Sequence, residues 1–551
     1  MEKLQPLDYL AFVLYMLLMA GVGAFFGWFI KDIKDYFKGG STIPWLIGAI
    51  SNYMGLFSSF VFVAHAGIAY EFGIVGVVIL WSTIFPCLFA AKVVGKRWRR
   101  SGIITPVEYL ETRFSSGVRQ TFSWVGLGMR FLDNMVRLYA IGIFITTATD
   151  IGFFEAILMS GFVITLFTII GGVWAVVVMD TIQFVILIVA SMILVPLSLE
   201  AVGGIDELMN KQANHFDWFN GPKGAPLWLL VYYLLISLKY NANWVFIQRF
   251  YSVKDEKATK KMGYFTALLF FIFPIFFLLP AIAATEVFPE LPDPEMAYVA
   301  MAVKLLPTGL MGLMLAAIFS ATMSSLNSEF NVMSGVLTND IYKRLLNNSG
   351  SEKHYIWVAR ANILLVGTVA TIGALYVGVL GGAFEANKLL TGLFAIPLSI
   401  PLIFGLLFSK PNPLGAWATV VFGIASGLAL NAYPGISWEM ATLVEIIICF
   451  LIFFISGYLV PASTSYKNKV ALFFKQLETP LTASEIPQIA PKFKQMLLYV
   501  FIVALMVSGV LVLAMAMASL GTLGSKIAIF AALLCLVLAI LLYLFRSKIN
   551  H

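Results

Sequence analysis

The chain has 551 residues, of which 60% are hydrophobic and only 12% charged, about half the charged share of a soluble domain, roughly 25%. With a mean hydropathy of +0.90, it excludes a soluble globular protein, a disordered chain and a nucleic-acid-binding domain, and leaves a membrane protein with many spans. The net charge of +7 then reads as loop charge gathered on one side of the bilayer.

Apolar stretches of ~20 residues predict about fifteen spans, at roughly 8–30, 45–69, 72–95, 120–148, 154–173, 176–200, 226–247, 262–287, 305–341, 355–379, 383–409, 413–431, 437–460, 495–518 and 524–545. They are numbered here as runs 0 to 14. Each is continuously apolar, where a β-barrel strand would alternate. The segment Met1–Asp8 lacks a basic region and a small-residue cleavage site, so run 0 is expected to be retained as a helix. Cys87, Cys449 and Cys535 all lie in apolar runs and predict neither a disulfide nor a metal site.

Lys and Arg orient the runs. One set of alternate loops holds Lys31, Lys34 and Lys38, then Lys96 to Arg119, Arg249 to Lys261, Lys343 to Lys353, Lys410, and Lys467 to Lys494. The other set holds only Lys3, Lys211, Lys223, Lys304 and Lys526, beside the acidic Glu286, Glu290, Asp293 and Glu295. The asymmetry puts the N-terminus outside and the C-terminus in the cytoplasm. The longest loops, about 201–225 and 461–494, are too short to bury a core of their own. In loop 100–119, Thr105 and Pro106 read as the start of a short cytoplasmic helix over Val107–Phe114.

A polar side chain in hydrocarbon is costly, so each one within a run is a functional candidate. The densest group is in run 8. Ala321, Ser324, Ser325 and Ser328 fall at i, i+3, i+4 and i+7, one stripe of one helix face, with Asn327 beside it. Such a stripe serves either close helix packing or a small hard cation that wants oxygen ligands, completed by carbonyls of an unwound neighbour. Run 1 is the candidate neighbour, interrupted by Ser51, Asn52, Gly55, Ser58 and Ser59. Asp180, one turn into run 5, predicts either a cation beside it or an ion pair with a loop Arg. Arg130, Asp133 and Arg137 lie in run 3, Lys239 in run 6, and Glu385 and Lys388 in run 10. Asp133 and Arg137 are spaced to pair, and His65 and Glu445 read as packing residues.

Several stretches, in order along the chain, resemble the sodium/solute symporter family of bacterial galactose, proline and sialic-acid carriers. They are Asp35–Gly40 with Ile43, Pro44 and Trp45; Thr105–Phe114; Gly171 and Gly172 with Asp180 and Gln183; Ile247, Gln248 and Arg249; and Ala316–Ser325 running on to Lys343. The resemblance implies an all-α membrane protein with a LeuT-like five-plus-five inverted repeat. It would have a peripheral segment 1–44, a first repeat over 45–200, a second over 201–409 and peripheral helices over 410–551. Runs 1 and 6 would break at mid-membrane.

It also implies a sodium site on the carbonyls of Met54, Phe57 and Ala321 and the hydroxyls of Ser324 and Ser325. A second sodium, in the members that bind one, would use Asp180, Ser324, Asn327 and Ser328, with the Asn327 amide standing for a hydroxyl. The solute would meet Leu56, Ser58, Val61, Leu80, Lys239, Asn241 and Lys388. At Leu56, Val61 and Leu80 the sugar carriers' polar partners are replaced by apolar residues, which disfavours a sugar. Lys239 and Lys388 favour an anion such as a carboxylate. The function implied is sodium-coupled import of a small organic solute across a bacterial inner membrane, without enzymatic chemistry. The alternatives are a sugar, polyol or amino-acid symporter, or a sodium-dependent channel.

Overall fold

The computed structural model describes residues 4–27, 37–170, 173–221, 225–433, 435–460, 462–487 and 491–546. Asp35, Tyr36, the Gly171–Gly172 pair, and Lys3, Lys31, Lys34 and Lys223 lie outside them. Each of the fifteen apolar runs contains helix among its described residues. Among the described residues, eleven helices are long and apolar enough to cross a bilayer, or twelve when a bent pair counts as one. This count is three or four below the expected number of about fifteen spans. Runs 0 and 4 give shorter apolar helices, Pro6–Val22 and Phe153–Ile169, and run 6 is split in two.

In chain order the helices are α1 (Pro6–Gly27), α2 (Trp45–Leu56), α3 (Val61–Phe72), α4 (Val75–Arg100), α5 (Ser116–Ala148), α6 (Phe153–Ile170), α7 (Val173–Ala201), α8 (Ala225–Asn241) and α9 (Trp244–Ser252). They continue as α10 (Glu256–Val287), α11 (Leu310–Leu346), α12 (Glu352–Ala374), α13 (Ala383–Phe404), α14 (Pro413–Ala432), α15 (Trp438–Leu459), α16 (Thr464–Glu478), α17 (Pro491–Met517) and α18 (Leu523–Leu544). In loop 100–119 the Glu108 carboxylate accepts from the Ile104 and Thr105 N–H groups, and a short helix follows over Tyr109–Arg113.

α11 is the axis of the molecule. Every residue from Leu310 to Gly335 is buried, the condition of a helix that is walled on all sides. It packs against α1, α2, α5, α7 and α12. Asp8 in α1 caps its start, its Oδ1 accepting from the N–H groups of Gly309 at 2.6 Å and Gly312 at 2.8 Å. α14, α15 and α18 lie at the edge and present large apolar side chains outward, among them Phe422, Leu451 and Phe530. The three cysteines are buried and unbonded to one another.

Two of the runs break. α2 and α3 are bent by 64° across the gap between Leu56 and Val61, where Phe57 takes extended backbone angles. α8 and α9 are interrupted at Ala242 and Asn243, and the Asn243 side chain caps the new start by accepting from Phe246 N–H at 3.0 Å. The end of α2 sits close to both α9 and α11. A Cβ on Gly55 would stand 2.9 Å from Val245 Cγ1, close enough that this side chain would have to shift, and in ordinary contact with Ser328 Oγ at 3.6 Å.

Candidate sodium and solute site

A helix end leaves its last carbonyls without partners one turn on, so the gap after Leu56 puts backbone oxygens beside α11. Phe57 N–H returns to Met54 O at 3.2 Å, and Ser59 N–H donates across the gap to Thr322 Oγ1 at 2.9 Å. This contact fixes the break against the hydroxyl stripe. Ser325 Oγ donates to Thr322 O at 2.9 Å, which leaves its lone pairs for a cation, and Ser324 Oγ donates to Asp180 Oδ1 at 2.5 Å. Ala321, Ser324 and Ser325 are all buried. The structure therefore sets the α2–α3 break against α11 at Thr322, one residue from Ala321.

The residues expected at a second sodium are arranged around a cation of the chain itself. Arg249 is fully buried. Its guanidinium lies 3.8 Å from Asp180, donates to Ser328 Oγ at 2.8 Å and donates to Ser51 Oγ at 2.9 Å. Ser51 in turn donates to the other Asp180 oxygen. Asn327 points elsewhere, its Oδ1 accepting from Thr168 Oγ1 at 2.5 Å. Asp180 thus has an arginine as ion-pair partner, one near the end of a helix instead of in a loop.

Next to the break lies an inner cavity that leaves about 50 Å³ for water-sized molecules. Leu56, Phe57, Ser58, Val61, His65, Leu80, Asp133, Arg137, Lys239, Asn243 and Asn387 are among its walls. Five of the expected solute residues are there: Leu56, Ser58, Val61, Leu80 and Lys239. Two are not. Asn241 Nδ2 donates to Ser237 O at 3.0 Å on its own helix. Lys388 Nζ pairs with Glu385 at 2.6 Å, and its neighbour Asn387 takes the wall position.

The electrostatics of the cavity come from a cluster that the sequence showed only in part. Asp133 accepts from Arg137 at 2.9 Å, Lys239 at 3.2 Å and Asn387 at 3.1 Å. Glu329, fully buried on α11, lies 3.2 Å from Arg130 and 3.8 Å from Arg137. Three cations thus face two carboxylates, and one positive charge is in excess. Arg137 Nη1 is buried and has no hydrogen-bond partner among the described residues. Glu329 follows Ser328 directly in run 8 and was not singled out from the sequence. An acid inside an apolar run was itself the signal.

A profile of the sodium:solute symporter family matches residues 36–423. The chain belongs to the sodium:solute symporter family. Sodium is accordingly the coupling ion, and the protein is a multi-pass integral membrane transporter. Among curated relatives of the symporter, the sodium-coupled monocarboxylate transporter 1 of Xenopus laevis is 26% identical, over 79% of this chain and 72% of that one. The sodium/sialic acid symporter of Aliivibrio fischeri is 25% identical, over 82% and 93%. The sodium/glucose cotransporter of Vibrio parahaemolyticus is 25% identical, over 78% and 86%. The solved substrate-bound, outward-open structure of a Na+-coupled sialic acid symporter superposes with a TM-score of 0.76 at 23% identity, covering 83% of this chain and 98% of that one, which shows the shared fold.

Proposed function

We propose that this symporter imports a small organic anion, a short carboxylate, together with sodium. The observation that carries the reading is the charge of the inner cavity. Arg137 and Lys239 outnumber Asp133 on its walls, and the unpartnered Arg137 Nη1 is a donor in search of an acceptor. Lys388, paired with Glu385, no longer supports the case, and Arg137 takes its place. A space of about 50 Å³ is a few times the ~10–15 Å³ one water needs, so a solute of a few heavy atoms fits better than a sugar. The apolar Leu56, Val61 and Leu80 would leave sugar hydroxyls unpaired.

Sodium binds in this reading to the carbonyls of Met54, Phe57 and Ala321 and the hydroxyls of Ser324 and Ser325. The bound ion ties α2 to α11, and Leu56, Phe57 and Ser58, which line the cavity, order the solute site in the same step. The two broken runs, α2–α3 and α8–α9, then stand at matching places of a five-plus-five inverted repeat, and one group of helices rocks against the other around the occupied site. Transport follows only if sodium binds the two states unequally. One sodium with one monocarboxylate moves no net charge. A second sodium would add about 2.3 kcal/mol per 100 mV, and the Arg249 guanidinium between Asp180 and Ser328 supports a single ion. The chain performs no enzymatic step, and the lysine-rich loops face the cytoplasm of a bacterial cell.

The test is a thermal-shift screen of the purified symporter with short carboxylates, sugars and amino acids, each with and without sodium. Short carboxylates should raise the midpoint only when sodium is present. Stabilisation by sugars and not by carboxylates would overturn the anion reading and favour the sugar or polyol alternative.

A further inference from the structure

Another cavity shares no lining residue with the inner cavity beside the α2–α3 break, and its chemistry is that of a lipid headgroup site. It is a groove between the end of α13, the end of α15 and α16, with about 770 Å³ open to water-sized molecules. Leu407, Val470 and Phe474 form its floor, and Lys410, Lys467 and Tyr458 stand on its rim. Lys410 Nζ is exposed and, among the described residues, donates only to a neutral group, Tyr458 Oη at 2.9 Å. Lys467 is exposed and has no ion-pair partner among the described residues. The one acid in the lining is Glu478, at the last residue of α16. The groove also adjoins the end of a candidate membrane span, α15, whose Gly457 and Tyr458 are in its lining. α15 ends at Leu459, five residues before α16 begins, and Tyr458, Leu459 and Leu472 are left exposed around it, an apolar border continuous with the lipid-facing surface of α15.

We propose that this groove binds an anionic phospholipid, its phosphate between Lys410 and Lys467 and its acyl chains over the Tyr458, Leu459 and Leu472 border. Lysines flanking apolar surface at the membrane boundary are the pattern that anionic headgroups recognise. The helix that forms one wall gives the site a consequence. Tyr466 and Lys469 at the front of α16 hold the segment before α5: Arg113 Nη1 donates to Tyr466 Oη at 2.7 Å, and Lys469 Nζ donates to Glu111 O at 2.7 Å. The rear of α16 holds the ends of α4 and α10. Arg100 donates to Leu477 O at 2.9 Å, and Leu481 N–H donates to Glu256 Oε1 at 3.0 Å. A lipid seated on α16 therefore steadies a strap that joins two parts of the helix bundle.

The experiment uses the full-length symporter in neutral detergent and follows thermal unfolding on titration with phosphatidylglycerol. Phosphatidylcholine and inorganic phosphate serve as controls. Phosphatidylglycerol should raise the midpoint, and the double variant Lys410→Gln/Lys467→Gln should bind it roughly 30-fold more weakly, about fivefold per lysine. In phosphatidylcholine the double variant should match the wild type. Equal shifts from the two lipids, an equal shift from inorganic phosphate, or an undiminished response of the double variant would each overturn the site. If the double variant does not fold, Lys467→Gln alone, at an unpaired exposed side chain, decides by the same readout with a fivefold change.

Discussion

Replacing Lys239 by Met removes one cation from the cavity without stranding its carboxylate. Lys239 Nζ donates to Asp133 at 3.2 Å, Asn387 at 3.3 Å and Thr391 at 2.9 Å. After its loss Asp133 keeps Arg137 at 2.9 Å and the Asn387 amide at 3.1 Å. The cost to folding should therefore stay near ~1–3 kcal/mol, the range of lost hydrogen bonds, below the ~3–5 kcal/mol of a broken buried pair. The effect on an anion is larger. Unit charges ~4–6 Å apart at an effective dielectric of ~20 attract by about 3–4 kcal/mol. Part of this is offset by the Asp133 charge and by the desolvation of the anion, so the loss of affinity should be about 30- to 100-fold. The assay is the half-saturating concentration for short carboxylates in proteoliposomes at fixed sodium, with Lys239→Arg as the charge-preserving control. The Met variant should show the loss and the Arg variant most of the wild-type affinity. An unchanged half-saturation in Lys239→Met, or equal losses for neutral and anionic solutes, would refute the electrostatic reading.

Three other outcomes are expected. Ser325→Ala should raise the sodium concentration for half-maximal uptake by about tenfold, the worth of one good oxygen ligand, and an unaltered sodium dependence would remove Ser325 from the site. Asp180→Asn leaves the buried Arg249 with neutral partners only, Ser51, Gln248 and Ser328. It should cost ~3–5 kcal/mol of stability, and adding Arg249→Met should recover part of it in a double-mutant cycle of unfolding midpoints. Outside the spans, burial holds the Glu295 carboxyl up at about 6, above its ordinary 4.5, while it accepts from Phe384 N–H at 3.3 Å. Between those two values the folded chain binds more proton at Glu295 than the unfolded one, so this group's contribution to stability should grow as pH falls from 7 to 4.5, by about 2 kcal/mol. Glu295→Gln should remove that contribution, and a pH profile of stability unchanged in the variant would contradict it.

Much of the fold could be read from hydropathy alone, because a helix in lipid must satisfy its backbone within its own run. The position of every apolar run was legible for that reason. Their lengths were less so: run 6 is interrupted by two residues, Ala242 and Asn243, that look unremarkable in a hydropathy window. The break after Leu56 was legible because Gly55, Ser58 and Ser59 weaken a helix locally. Side-chain partners across the bundle were not. The ion pair of Asp133 with Arg137 follows from a spacing of four, whereas that of Asp133 with Lys239 and that of Arg130 with Glu329 span 106 and 199 positions and depend on how α5, α8 and α11 meet. Lys388 was expected to face the solute, yet the turn of α13 that follows Gly382 presents Asn387 to the cavity and Lys388 to Glu385. A one-residue change of register on a helix is a rotation of about 100°, enough to exchange the two.

The most direct measurement is tracer uptake of a short carboxylate into proteoliposomes with sodium, potassium or choline as the only external cation and no proton gradient. A cation held between the broken α2–α3 run and the serines of α11 predicts concentrative uptake with sodium alone, lost in the Ser324→Ala/Ser325→Ala variant. Equal uptake with choline would contradict it.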